Sequence, residues 1–117
     1  MNLRAVAEEL KLERLTPERD ADTARAITGG YASDLLSDVL AHAPRGGVLV
    51  TVQVHMNVIA VSMHAELAAV IFASGRKPDD SVIEKAAEEG IALYVSGEST
   101  FDVAGRLYAL GLRGPHE

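Results

Sequence analysis

Cysteine is absent from the 117-residue chain, and so is tryptophan. Without a thiol there is no disulfide, no thiolate nucleophile and no Cys-ligated zinc, and a reducing, cytoplasmic setting is the expectation. Aromatic residues make up only 4% of the chain, so Ala, Val, Ile and Leu have to fill the core. Basic residues are outnumbered, with 11 Lys and Arg against 17 Asp and Glu, for a formal net charge of −6. That sign argues against a nucleic-acid partner and against an anionic membrane surface, because both need a basic footprint. Long apolar runs are missing as well. The longest, Leu67 to Ala73, falls far short of the ~20 residues that span a bilayer. The N-terminus shows no basic-then-apolar leader pattern. No phosphate loop of the type G-x-x-x-x-G-K-[ST] occurs, and no complete G-x-G-x-x-G. No Ser–His–acid order stands out, and no pair of His at ligand spacing is backed by an acid. Nucleophilic catalysis therefore has no candidate, a His-built metal site is not expected, and no cofactor is expected.

What is present reads as one small, soluble domain over residues 1–117. The chain is 48% hydrophobic and 24% charged, enough to close a single core. Leu3, Val6, Ala7 and Leu10 recur at helical spacing. Lys11 to Leu15 reads as an edge strand, Thr16 to Asp22 as a polar loop, and Ala24 to Ile27 as a short strand running into Thr28-Gly29-Gly30. Leu35, Leu36, Val39 and Leu40 mark a second helix, with Ser33 and Asp34 as cap candidates. Val48 to Val52, Leu67 to Ala73 and Ile91 to Val95 are branched, continuous apolar runs of the kind buried on both faces. Asp79 to Glu89 and Ser99 to Leu110 are amphipathic helices, and Arg113 to Glu117 is a frayed tail that holds His116. Alternating strands and helices imply a single α/β domain with a mostly parallel central sheet flanked by helices. The segment Met56 to Leu67 carries apolar residues around most of its circumference. It is either central or meets a second subunit, and a homodimer is the expectation.

In such a sheet, ligands bind beyond the carboxyl ends of the strands. The segments expected there carry Thr28, Gly29 and Gly30; His55 and Asn57; Ser74, Gly75 and Arg76; and Ser96 and Gly97. Helix N-termini offer N–H donors, Gly lets a ligand approach the backbone, and Arg76 supplies positive charge, which together suit an anion. The same residues also serve as turns and caps whatever they bind. Thr51, Gln53, His55 and Asn57 alternate with apolar neighbours and define a polar face that needs partners, either a ligand or an internal network. Gly29-Gly30 is expected to turn sharply between strand and helix, so Gly30→Val is expected to destabilise. Asp34 and Asp38, four residues apart, suit either Mg²⁺ or a solvated helix face. His42 and His64 read as surface or interface residues.

The stretch Arg25-Ala26-Ile27-Thr28-Gly29-Gly30-Tyr31-Ala32-Ser33-Asp34-Leu35-Leu36-Ser37-Asp38-Val39 resembles the signature of DRTGG domains. The similarity continues through Thr51 to Asn57, Ala68 to Arg76 and Ser99-Thr100-Phe101, and covers about residues 24–112. The name-giving Asp is absent, because Ala24 precedes Arg25, and two residues separate Arg25 from Thr28-Gly29-Gly30. The resemblance implies an α/β domain similar to the N-terminal domain of HPr kinase/phosphorylase, here in a stand-alone copy without the kinase domain. In that family, DRTGG domains accompany CBS domains in regulated pyrophosphatases and precede phosphotransacetylase domains, as regulatory or dimer-forming parts. The expected function is a non-catalytic regulatory or dimerisation module, sensing a nucleotide or another anionic small ligand and serving an unidentified protein partner. The alternative is a small enzyme acting on a phosphate-bearing substrate with His55 as acid/base.

Overall fold

The computed structural model describes residues 1–115; His116, assigned above to the tail, lies outside the described residues with Glu117. The chain opens with α1 (Leu3–Glu9), whose N-cap Asn2 accepts from the Ala5 amide and whose Leu3 and Val6 are buried. β1 (Glu13–Arg14) follows as an antiparallel edge strand, then α2 (Asp20–Thr23) and β2 (Gly30–Ala32). After these come α3 (Leu36–His42), β3 (Val48–Thr51), α4 (Asn57–His64) and β4 (Ala69–Phe72). α5 (Asp80–Glu88), β5 (Ala92–Val95) and α6 (Thr100–Ala109) complete the order. The five strands form one sheet in the order β1-β5-β4-β3-β2, parallel except for β1.

Residues alternate across the inner strands, so each strand feeds two cores. Val48, Val50, Ala69, Ile71, Ala92 and Tyr94 pack with α1 and α6 on one face. Leu49, Val70, Phe72, Leu93 and Val95 pack with α3, α4 and α5 on the other. Every residue of β3, β4 and β5 is buried, which is why these runs lack polar alternation. Each fully buried aliphatic side chain contributes roughly 1.5–3 kcal/mol, and the layered sandwich rests on that sum. At the far edge the Arg14 guanidinium forks onto Asp22 at 3.0 and 3.1 Å and also meets the Tyr94 hydroxyl. Burial works against the Arg14 charge, but the bonds to Asp22 and Tyr94 outweigh it and hold its pKa above the ordinary value.

Two expectations fail here for physical reasons. Ala24 to Ile27 is not a strand. A helical turn occupies Asp20–Thr23 inside the expected polar loop, and the residues after it pair with the chain start: Leu3 donates to the Arg25 carbonyl, Ile27 donates to the Met1 carbonyl, and Ala26 bridges Asn2. The strand lies further on, at Gly30–Ala32, beside β3. Arg113 is not frayed, because its carbonyl accepts the Gly30 amide at 3.0 Å and its guanidinium lies 3.6 Å from the Tyr108 ring centroid. Of the two readings of the Met56 to Leu67 segment, the central one is excluded, because α4 has one buried face, Val58, Ile59 and Ser62, and Met63 on its outer side is 44% exposed.

Candidate functional site

The carboxyl ends of β3, β4 and β5 bring three of the expected segments to one edge. His55 and Asn57 follow β3, Ser74, Gly75 and Arg76 follow β4, and Ser96 and Gly97 follow β5. Thr28, Gly29 and Gly30 do not join them. They lead into β2, so they sit at the opposite, amino end of the sheet, where Gly30 pairs with Val48. There the Thr28 hydroxyl donates to the Arg45 carbonyl at 2.5 Å. The displacement follows directly from the misplaced strand: a loop expected after the strand turns out to precede it.

The β3 loop is built by a repeated local bond. The Gln53 amide donates to Thr51 Oγ1 at 3.1 Å, the His55 amide to Gln53 Oε1 at 3.1 Å, and the Asn57 amide to His55 Nδ1 at 3.0 Å. The alternating polar face is thus an internal brace, each side chain capping the amide two residues on. Because His55 Nδ1 accepts, the ring proton sits on the exposed Nε2, which is left as a donor. Thr51, fully buried, donates to Asp34 Oδ1 at 2.8 Å, and the Val52 amide reaches the same oxygen at 2.8 Å. Asp34 therefore ties the end of β2 to the end of β3, a role its place in the sequence did not reveal. Asp38 turns elsewhere and accepts the Tyr31 hydroxyl at 2.8 Å and meets His42 at 3.0 Å. The bond from Tyr31, followed by those from Ser33 and His42, holds the Asp38 carboxyl below its ordinary pKa. The two carboxylates do not converge on one ion. Among the described residues no three His, Asp or Glu are placed to hold a metal.

The β4 loop is strapped to the β5 loop. The Ser74 amide donates to the Glu98 carbonyl at 2.7 Å, and the Gly75 amide to the Ser96 carbonyl at 2.8 Å. Ser74 and Gly75 both take positive φ, 58° and 66°, a tight turn that Gly permits and Ser reaches at some strain. The Arg76 amide is also spent, on the Ala73 carbonyl at 3.1 Å. The donors expected to cradle an anion are therefore engaged inside the protein. What this edge presents outward is side-chain chemistry: the Arg76 guanidinium, which has no ion-pair partner among the described residues, the Ser74 hydroxyl, the Asn57 amide and His55 Nε2. Ser96 is buried and its hydroxyl accepts from the Glu98 amide at 3.1 Å, so it braces the edge and does not line it.

A second feature sits on the same side of the sheet as α3 and α4. Leu35 and Leu40 are 64% and 51% exposed, and Met56 and Met63 are 37% and 44% exposed, on or beside two adjacent helices. The helical spacing of the α4 segment pointed to this surface; the share contributed by α3 was not visible, because Leu40 reads as one more core position.

No family model matches the sequence, and no curated protein matches it. Among solved structures the fold is similar to the CBS and DRTGG domains of the regulatory region of Clostridium perfringens pyrophosphatase, complexed with the activator diadenosine tetraphosphate. The TM-score is 0.72 at 16% identity, covering 96% of this chain and 47% of that one. The chain thus spans about half the length of the structure it matches, and at this identity the likeness is one of fold. No helix among the described residues is long and apolar enough to cross a membrane.

Proposed function

We propose that this domain is a cytoplasmic, non-catalytic regulatory module of the DRTGG type that assembles as a homodimer and responds to a nucleotide or another anionic ligand. The observation that carries the reading is the exposure of four large apolar side chains, Leu35, Leu40, Met56 and Met63, on or beside the neighbouring helices α3 and α4. An apolar surface shared between neighbouring helices marks an interaction site more often than isolated exposed residues do, and a closed two-fold pair is the commonest assembly. The fold likeness to a regulatory region that binds a dinucleotide activator supports the sensing half, as does Arg76, without an ion-pair partner among the described residues in a chain whose net charge is −6. The proposed contacts are Arg76, Ser74, Asn57 and His55, with Gly75 and Gly97 giving room for approach and Ser96 holding the edge together. Thr28, Gly29 and Gly30 stay outside this site because they lie at the other end of the sheet. No carboxylate pairs with His55 among the described residues, so nothing favours the acid/base alternative.

A titration with AMP, ADP, ATP, diadenosine tetraphosphate and phosphate tests the ligand. At tenfold excess over Kd, binding raises stability by about 1.4 kcal/mol, a clear rise in melting temperature that Arg76→Ala removes. If no compound shifts the melting curve at millimolar concentration, the sensing role fails. If Arg76→Ala binds as well as wild type, the site lies elsewhere.

A further inference from the structure

We propose that the outer edge of β2 is a docking strip for an extended, acidic peptide segment of a partner protein, with one aliphatic side chain of that segment seated in the cleft beside it. Three independent features of this edge converge. The first is the backbone. β2 is the last strand of the sheet, and its register sets Gly30 opposite Val48 and Ala32 opposite Val50. The Val48 amide donates to the Gly29 carbonyl and the Ser33 amide to the Val50 carbonyl. In a parallel ladder alternate residues bond to the same neighbour, so Gly30 and Ala32 aim their N–H and C=O groups away from β3. The Gly30 amide is taken by the Arg113 carbonyl at 3.0 Å. Ala32 is exposed, and its outward groups have no partner among the described residues. They are free to bond an added strand.

The second feature is a cleft of about 150 Å³ alongside, floored by Gly30, Ala32 and Val50 and walled by Leu107, Tyr108 and Leu112. It exists because two floor positions are small. Among the described residues, a Cβ built on Gly30 meets only the Val48 carbonyl, at 3.8 Å. The volume and the apolar lining suit one branched aliphatic side chain, the kind of pocket that gives an added strand its specificity. The third feature is charge. The Arg113 guanidinium lies over the Tyr108 ring, and its Nη1 donates to the Tyr108 and Leu112 carbonyls at 2.9 Å each. It has no carboxylate partner among the described residues, and the charge that those residues place at the rim is positive. An Asp or Glu on the incoming segment complements it.

The test uses the ¹⁵N-labelled full chain and two end-blocked peptides, one alternating glutamate with valine and one alternating lysine with valine. The expected result is saturable shifts at Gly30, Ala32, Tyr108 and Arg113 with the glutamate peptide, and weaker binding of the lysine peptide. Ala32→Pro abolishes those shifts, because proline removes the outward N–H while the ladder to β3, which does not use it, stays intact. Arg113→Ala weakens the glutamate peptide by about threefold to fivefold, the worth of one exposed ion pair. Unchanged thermal melting of both variants shows that the fold is retained. The proposal is overturned if neither peptide shifts these residues at millimolar concentration, if the lysine peptide binds equally well, or if Ala32→Pro binds as wild type does. It is also overturned if the same resonances shift with protein concentration alone, which assigns the strip to a second copy. None of these outcomes bears on the α3–α4 face or on Arg76, so failure here leaves the proposed function standing.

Discussion

Gly29→Ala is predicted to be strongly destabilising, and Gly30→Ala, one residue on, to be tolerated. A Cβ at Gly29 falls 2.6 Å from the Arg113 carbonyl oxygen and 3.5 Å from Pro44 Cγ. The obstructing atom belongs to the backbone and cannot rotate aside. Relief requires Arg113 to move, and its carbonyl holds the Gly30 amide at 3.0 Å. Losing that bond costs about 1 kcal/mol, and forcing a methyl group into filled space costs about 1–3 kcal/mol more, together about 2–4 kcal/mol. For a domain of this size roughly 4 °C of melting temperature accompanies each kcal/mol, so Gly29→Ala should lower it by about 8–16 °C. Among the described residues a methyl group at Gly30 has only the Val48 carbonyl near it, at 3.8 Å, and should leave stability within about 0.5 kcal/mol. The reason given for a loss at Gly30→Val falls away, because Gly30 lies in an edge strand and makes no turn. Thermal and urea unfolding of both alanine variants provide the measurement. Equal effects from the two substitutions, or an unchanged Gly29→Ala, would refute the close approach between the C-terminal segment and β2.

Two further outcomes follow from single side chains. Asp38 has its folded-state pKa depressed below 3.8, first by the Tyr31 hydroxyl, so its contribution to stability is fully present above the ordinary carboxylate pKa and is lost as pH falls through the folded value. The stability gap between wild type and Asp38→Asn should therefore be open at neutral pH and close below pH 3.8, read from urea midpoints along a pH series; a gap that persists in strong acid refutes the assignment. The Ser62 hydroxyl is buried without a hydrogen-bond partner among the described residues, so Ser62→Ala should be neutral or stabilising by up to about 1 kcal/mol; a loss of that size would show that the hydroxyl has a partner.

The architecture was legible where burial dominates the sequence. Val48–Thr51, Ala69–Phe72 and Ala92–Val95 are strands because their continuous branched and apolar residues serve both faces. β2 was misplaced because an edge strand packs little: Gly30, Tyr31 and Ala32 carry no hydrophobic pattern, whereas Ala26-Ile27 does. That shift of a few residues carried Thr28-Gly29-Gly30 to the wrong end of the sheet. Arg113 shows the same limit, since a polar tail gives no local sign that a distant glycine will need its carbonyl. The polar alternation from Thr51 to Asn57 was legible as a pattern, and its i to i+2 bonds are the internal network that such a pattern can form. Asp34 was visible only as one of two acids on a helix, because its partners Thr51 and Val52 become neighbours only when β2 and β3 pair.

Assembly through α3 and α4 is read by sedimentation velocity over a wide concentration range, on wild type beside Leu40→Glu. Leu40 is 51% exposed, so the glutamate meets water in the isolated chain and an apolar surface in the dimer. Wild type is expected to sediment at twice the 12.4 kDa chain mass, and Leu40→Glu at the single chain mass with its melting behaviour preserved. A wild type that stays at 12.4 kDa at the highest concentration, or a Leu40→Glu variant that still pairs, would contradict it.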